Sequence, residues 1–178
     1  MSEKRLSLFP KNIQYEFPSE DKLTAVLLSA DVIQNDPERT GFFILSPGFT
    51  SLLDQSESSL RHPEQICVWF EYFDAPGIQI GSNSQDIELV KAPNDDRILG
   101  DLDVAYSLLG ELSEDIEARY TDPLTGKTYN IRDLDFSNHI GYGRSYIHVD
   151  RYMKPTPEFI EKLEQIIHLK LGWSLFWL

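Results

Sequence analysis

Cysteine is nearly absent from this 178-residue sequence. Cys67 stands alone, so no internal disulfide can form and folding does not call for an oxidising compartment. Its neighbours Ile66, Val68 and Trp69 predict a buried thiol. Histidine is scarce as well, with four scattered residues, and without a second thiol there is no structural zinc pattern. No apolar run approaches the length of a membrane span. The opening stretch MSEKRLSLFPKNIQYEF lacks the continuous apolar segment of a secretory signal, and a cytoplasmic location is expected. Basic residues are outnumbered, 16 against 29 acids, for a net charge of −13. A field of that sign repels phosphate backbones and anionic lipid, which argues against direct binding to nucleic acid or to a membrane surface. It attracts a basic protein and speeds its arrival, although acidity also serves solubility.

Catalytic and ligand motifs are equally sparse. TGKT at Thr125 to Thr128 matches the end of a phosphate-binding loop, but Thr121 stands where the first glycine is needed and the segment reads as a hairpin. The two DLD runs, Asp101 to Asp103 and Asp133 to Asp135, lack the remaining ligands and the turn glycine of a calcium loop. SPGF is not a nucleophile elbow. No cofactor and no metal are expected.

What is present suffices for a core: 41% of residues are hydrophobic and 12% aromatic, and no repeat or Gly/Ser linker divides the chain. The reading is one domain, residues 1–178, of the α+β class: a mainly antiparallel sheet with about three helices packed on it. Extended stretches are read around Leu6 to Phe9 and Ile13 to Phe17. Ser19 caps a helix whose stripe is Leu23, Val26, Leu27, Ala30 and Ile33. GFFILS and EQICVWFEYFD read as strands, the second a central one apolar on both faces. GIQIGS and DIELVKA follow as shorter strands of an antiparallel meander. In NDDRILGDLDVAYSLLGEL, Ile98, Leu102, Ala105, Leu109 and Leu112 step at helical spacing, with Asp96, Asp103, Ser107 and Glu111 opposite. A hairpin around Asp122, Pro123 and Gly126 comes next. The last helix starts at the N-cap Thr156 with Pro157 behind it, buries Phe159, Ile160, Leu163, Ile166 and Ile167, and is stopped by Gly172. The aromatic tail LGWSLFWL is expected to fold back onto the core.

The run NHIGYGRSYIHVDRY, Asn138 to Tyr152, carries the densest chemistry. As a strand, its side chains separate by parity. Tyr142, Arg144, Tyr146, His148, Asp150 and Tyr152 fall on one face, and Gly141, Gly143, Ser145, Ile147 and Val149 on the other. The first face supports three readings. Tyrosines with an Arg and a His have the make-up of an interface, and the same residues can merely cover the solvent side of a half-exposed sheet. An enzyme reading makes His148 a general acid or base oriented by Asp150, with Arg144 holding an anion and His139 nearby, as in a hydrolase or phosphodiesterase. Side chains two apart on a strand sit roughly 6.5 to 7 Å from each other, which makes that pair a weak signal.

Acidity is concentrated. Gly81 to Glu117 holds ten carboxylates (Asp86, Glu88, Asp95, Asp96, Asp101, Asp103, Glu111, Glu114, Asp115 and Glu117) against Lys91 and Arg97, or −8 of the total −13. A solvated helix face accounts for such a cluster, and so does mimicry of a nucleic-acid ligand in a nuclease's basic cleft. In size, acidity and lack of a catalytic signature the chain is similar in character to the small cytoplasmic immunity proteins that neutralise bacterial toxins, a similarity that covers composition only. The function expected is therefore non-enzymatic: inhibition of a basic protein partner, a toxin domain, through Asp86, Glu88, Asp96, Asp103, Glu111, Glu114 and Asp115, with Tyr142, Arg144, Tyr146 and His148 assisting. The alternatives are the His148, Asp150 and Arg144 enzyme and a structural or adaptor module that self-associates through the tail.

Overall fold

The computed structural model describes residues 4–12, 14–54, 66–80, 87, 89–93, 95–137, 140–150 and 153–177. In chain order, β1 (Lys4–Pro10) leads to α1 (Glu20–Ser29), β2 (Ile33–Asn35), β3 (Phe43–Leu45), the single turn α2 (Pro47–Thr50) and β4 (Cys67–Ile80). There follow β5 (Leu89–Lys91), β6 (Ile98–Asp101), α3 (Leu102–Glu114), β7 (Arg119–Thr121), β8 (Thr128–Asn130) and a 3₁₀ turn (Ile131–Asp133). The chain closes with β9 (Ile140–Val149), α4 (Pro157–Ile167) and β10 (Leu171–Trp177). Six strands make one antiparallel sheet in the order β10-β1-β9-β4-β3-β2, and β5–β6 and β7–β8 pair separately. The fold is the α+β arrangement that the sequence predicts.

Four local expectations are corrected. The first helix stops at Ser29, because Asp31 takes a left-handed φ of 53° and turns the chain, so Ile33 reaches the core from β2 instead of from the helix. Ile98 and Gly100 belong to β6, not to a helix. The Asp101 carboxylate accepts the Val104 N–H at 3.3 Å and starts α3 only at Leu102. The meander ends at β4, whose other neighbour is β9, and Gly77 to Ile80 of GIQIGS form no separate strand but the far half of β4 beyond a bulge. There β4 passes from Tyr72 opposite Ser145 to Gly77 opposite Gly143, spending five steps where β9 spends two. Finally, Gly172 does not stop α4. His168, in the left-handed region at φ 57°, does so, and Gly172 lies inside β10.

Packing follows strand parity. Leu6, Leu8, Ile147 and Val149 point to one face of the sheet, where Leu23 and Leu27 of α1 and Phe159 and Leu163 of α4 cover them. Leu171 and Leu175 join the same core, so the tail folds back as expected, in the form of an outer strand. A second cluster forms where Ala105, Leu108, Leu109 and Leu112 of α3 meet Val90, Ile131, Leu134 and Phe136. Beyond the bulge, β4 and β9 fold back across the other face of the sheet. Tyr146 Oη donates to the Gly77 carbonyl at 3.2 Å, and a Cβ on Gly141 would stand 3.0 Å from Ser174 Oγ and 3.3 Å from the Phe9 ring.

Two glycines should respond to alanine with opposite signs. A Cβ on Gly172 would fall 2.4 Å from Phe9 Cε2, so Gly172→Ala should lower stability by about 1–3 kcal/mol through overpacking. Gly110 lies within α3 with nothing within 4 Å of its Cβ position, and Gly110→Ala should raise stability by about 0.5–1 kcal/mol. Urea midpoints of the two variants check both signs.

Candidate functional site

The chemistry on β9 is built inward. Tyr146 and His148 are both fully buried, and their rings stack at 5.6 Å with 7° between planes. They therefore do not belong to an exposed binding face, and this corrects the expectation for that half of the strand. Tyr146 is covered by Phe9, Phe73 and Gly77, and His148 by Trp69 beside it and the stacked Tyr146 ring, neighbours that a parity rule applied to one strand cannot see. Tyr142 is half-buried with its ring 5.3 Å from Phe9, whereas Arg144 is exposed. His139 and Tyr152 lie outside the described residues.

His148 does not use the partners read from its own strand. Its Nδ1 lies 2.7 Å from Ser7 Oγ on β1, and its Nε2 lies 3.0 Å from Glu71 Oε2 on β4. A carboxylate only accepts, so Nε2 carries the proton and donates to Glu71. Nδ1 then accepts from the Ser7 hydroxyl. Gln79 Nε2 also donates to Glu71 Oε2 at 2.8 Å, and Arg5 Nη2 donates to Gln79 Oε1 at 3.4 Å. Burial, and then the nearby Arg5 guanidinium, hold the imidazole well down, at about 4, against the opposing pull of Glu71. Serine, histidine and carboxylate stand in the order of a hydrolytic triad, but turned inside out. Ser7 and His148 are both 0% exposed, and Glu71 is the member that reaches solvent. The Ser7 hydroxyl is enclosed, and the hydrogen-bonded relay joins three strands. Asp150 and Arg144 are not among the hydrogen-bond partners of His148 in the described residues, and the Asp150 backbone N–H donates to Cys67 O. Cys67 itself is half-buried, not buried, and accepts from Arg39 Nη2 at 2.7 Å.

The described carboxylates of the acidic segment are exposed. Asp86 and Glu88 lie outside the described residues. Asp96 is fully exposed and faces Lys91 at 3.8 Å, in the loop before β6 and not on a helix. Asp103, Ser107, Glu111 and Glu114 follow one another along the solvent side of α3, and the side chains of Asp103, Glu111 and Glu114 make no hydrogen bond or ion pair among the described residues. Asp115 ends the helix, its carboxylate accepting the Glu117 N–H at 2.9 Å, while Glu117 pairs with Arg132. Beside this stripe the structure exposes what the sequence reading placed in the core: Ile98 is 54% and Leu102 37% exposed, and Tyr106 joins them at 44%. The missed signal was register. Once the helix begins at Leu102, its core positions are Ala105, Leu108, Leu109 and Leu112, and Leu102 and Tyr106 fall on the margin.

A cleft lies elsewhere, between the end of β1–β10 and the segment after β8, and has a volume of about 580 Å³. Lys11, Arg132, Asp133, Tyr142 and Trp173 are among its walls. Burial and the carboxylate of Asp133 push the Tyr142 phenol up, with Arg132 opposing. Among the described residues no group of three or more His, Cys, Asp or Glu side chains is placed to hold a metal ion, and no helix is long and apolar enough to cross a membrane. No family model matches the chain, and neither a curated protein nor a solved structure shows a significant match.

The buried imidazole predicts a pH dependence. His148 binds its proton only near pH 4 when folded but near 6.5 when unfolded. The unfolded state therefore holds the extra proton in between, and stability that is complete above pH 6.5 falls as pH drops. Between pH 6.5 and 5, where most carboxylates stay ionised, the loss should be about 2 kcal/mol. Urea titrations across that window should show this slope in the native protein and a flatter one in His148→Gln.

Proposed function

We propose that this chain is a non-enzymatic acidic binding protein that inhibits a basic protein partner, of the kind that an immunity protein neutralises in a bacterial nuclease or other toxin. The binding surface is the solvent side of α3 with the loop before β6. Asp103, Glu111 and Glu114 supply uncommitted charge there, and Ile98, Leu102 and Tyr106 supply exposed apolar area. An aromatic and two aliphatic anchors flanked by carboxylates suit a cationic cleft with an apolar floor. The anchors hold the complex together, while the charges accelerate encounter and reject anionic competitors.

The observation that carries this reading is where the charges stand on the helix. Glu111 and Glu114 occupy the last turn of α3, which has no basic residue, and Asp115 follows at the C-cap. Carboxylates at that end oppose the helix dipole, each at a cost of about 0.3–1 kcal/mol. Solubility needs acids somewhere, but not there; a binding surface needs them where the partner meets the helix.

Lysine at these positions should separate the two roles. Glu111→Lys and Glu114→Lys should each raise the unfolding free energy by about 0.3–1 kcal/mol. The tagged native protein should retain a basic protein stoichiometrically from a lysate of its source cells at low salt and release it as salt rises. The two reversals and Tyr106→Ala should weaken that retention. Retention and salt dependence unchanged by the reversals would remove the α3 face from the function. Release of the partner by His148→Ala, with α3 variants silent, would redirect attention to the relay across the sheet.

A further inference from the structure

The cleft beside β10 takes its charged lining from residues outside the acidic helix face, and that lining differs from the rest of the molecule. Its volume of about 580 Å³ falls inside the roughly 300–1,000 Å³ of small-molecule sites. One part of its wall is aromatic: Phe9 and Tyr142, 5.3 Å apart and inclined at 52°, with half-buried Trp173 also lining the cleft. In a chain of net charge −13, this lining is balanced, with Lys11 and Arg132 against Asp133 and Asp135.

These four charges keep hydrogen-bonding capacity in reserve. Arg132 directs Nη1 to Glu117 and to the Ile116 carbonyl, and its other nitrogens have no partner among the described residues. Lys11 uses its backbone, donating N–H to Lys170 O and accepting at its carbonyl from Tyr142 Oη, while its ammonium makes no hydrogen bond among the described residues. Asp133 commits Oδ2 to Asn130 Nδ2 at 3.1 Å and Asp135 commits Oδ1 to the Ser137 N–H at 2.7 Å, which leaves the second oxygen of each. A ligand carrying one charge finds a complement in one pair only. A ligand carrying both charges satisfies both pairs.

The geometry points to this cleft as a binding site for a free α-amino acid with an aromatic or branched apolar side chain. Its carboxylate is held by Lys11 and Arg132, its ammonium by Asp133 and Asp135, and its side chain rests against Phe9, Tyr142 and Trp173. Arginine offers the fork that a carboxylate matches, and lysine adds a point charge.

Isothermal titration calorimetry of the full chain tests this with L-tryptophan, L-phenylalanine and L-leucine, and with tryptamine and indole-3-acetate as partners that each lack one charge. At least one amino acid should saturate with a dissociation constant at or below about 1 mM. Tryptamine and indole-3-acetate should bind at least about tenfold more weakly than L-tryptophan, the loss expected when a charge-assisted hydrogen bond is left unmade. Lys11→Gln and Asp133→Asn, both at exposed positions, should each weaken the amino acid by a similar factor with melting temperatures unchanged. The assignment is overturned if none of the three amino acids saturates by about 10 mM, the practical limit of weak affinity. It is equally overturned if the single-charge analogues bind as well as L-tryptophan, or if both variants bind normally.

Discussion

The pairing of β4 with β9, interrupted by its bulge, is the constraint on which the rest of the structure depends. Before the bulge the two strands are interior members of the large sheet, with Val68, Ile147 and Val149 turned toward α1 and α4. After it they bend over the opposite face and carry Ile78 and Ile140 into the second cluster around α3. One strand pair thus belongs to both apolar clusters. The bend brings Gly77 against the Tyr146 hydroxyl and places Tyr142 on the wall of the cleft. Glycines make the bend possible. Gly143 sits at φ 154°, a backbone conformation that side chains rarely adopt, and Gly141 lies against Ser174 and Phe9 where little but a hydrogen fits.

Enclosing a polar face has a cost that the structure meets by pairing across strands. Ser7, His148, Glu71, Gln79 and Arg5 come from three strands, and each of them has a hydrogen-bonding neighbour in the chain. A neutral imidazole is the form that fits, since it donates to a carboxylate on one side and accepts a hydroxyl on the other without placing a net charge in the interior. The same requirement explains why the relay faces inward. Glu71, at its outer end, keeps contact with water, so its charge is not carried into the interior.

The α3 face follows a different logic. Its inner positions are filled by Ala105, Leu108, Leu109 and Leu112, and its start is secured by Asp101, which is all that folding asks of it. The carboxylates at its far end weaken the helix, and Leu102 and Tyr106 leave apolar area in water. Neither feature improves stability, so both stand as candidates for recognition. The cleft near Lys11 and Asp133 lies on another part of the surface, with opposite charges in balance, and calls for a different kind of ligand.

Much of this was legible in the chain, and the division has a physical cause. Local rules sufficed for the α+β class, the strands at Phe43, Cys67 and Ile140, the caps at Thr156 and the loop at Asp122, because alternation, helical spacing and turn residues act within a few positions of sequence. Net charge and its concentration before Glu117 needed no structure either. Helix ends were misread at Ile33 and Ile98 because an apolar residue entering a strand next to a helix continues the helical stripe by accident. The face of His148 was misread because exposure depends on what surrounds a strand, and the side chains around this ring include Ser7 from β1 and Trp69 and Glu71 from β4. The sequence by itself determined the kinds of element, the sign of the surface field and the absence of internal disulfides, since these depend on composition and short-range pattern. Only the tertiary structure decided that His148 meets Ser7 and Glu71, that Tyr106 faces solvent and that Lys11 shares a cleft with Asp133, because these depend on which distant strands pair, on how the chain packs around them and on the register of α3.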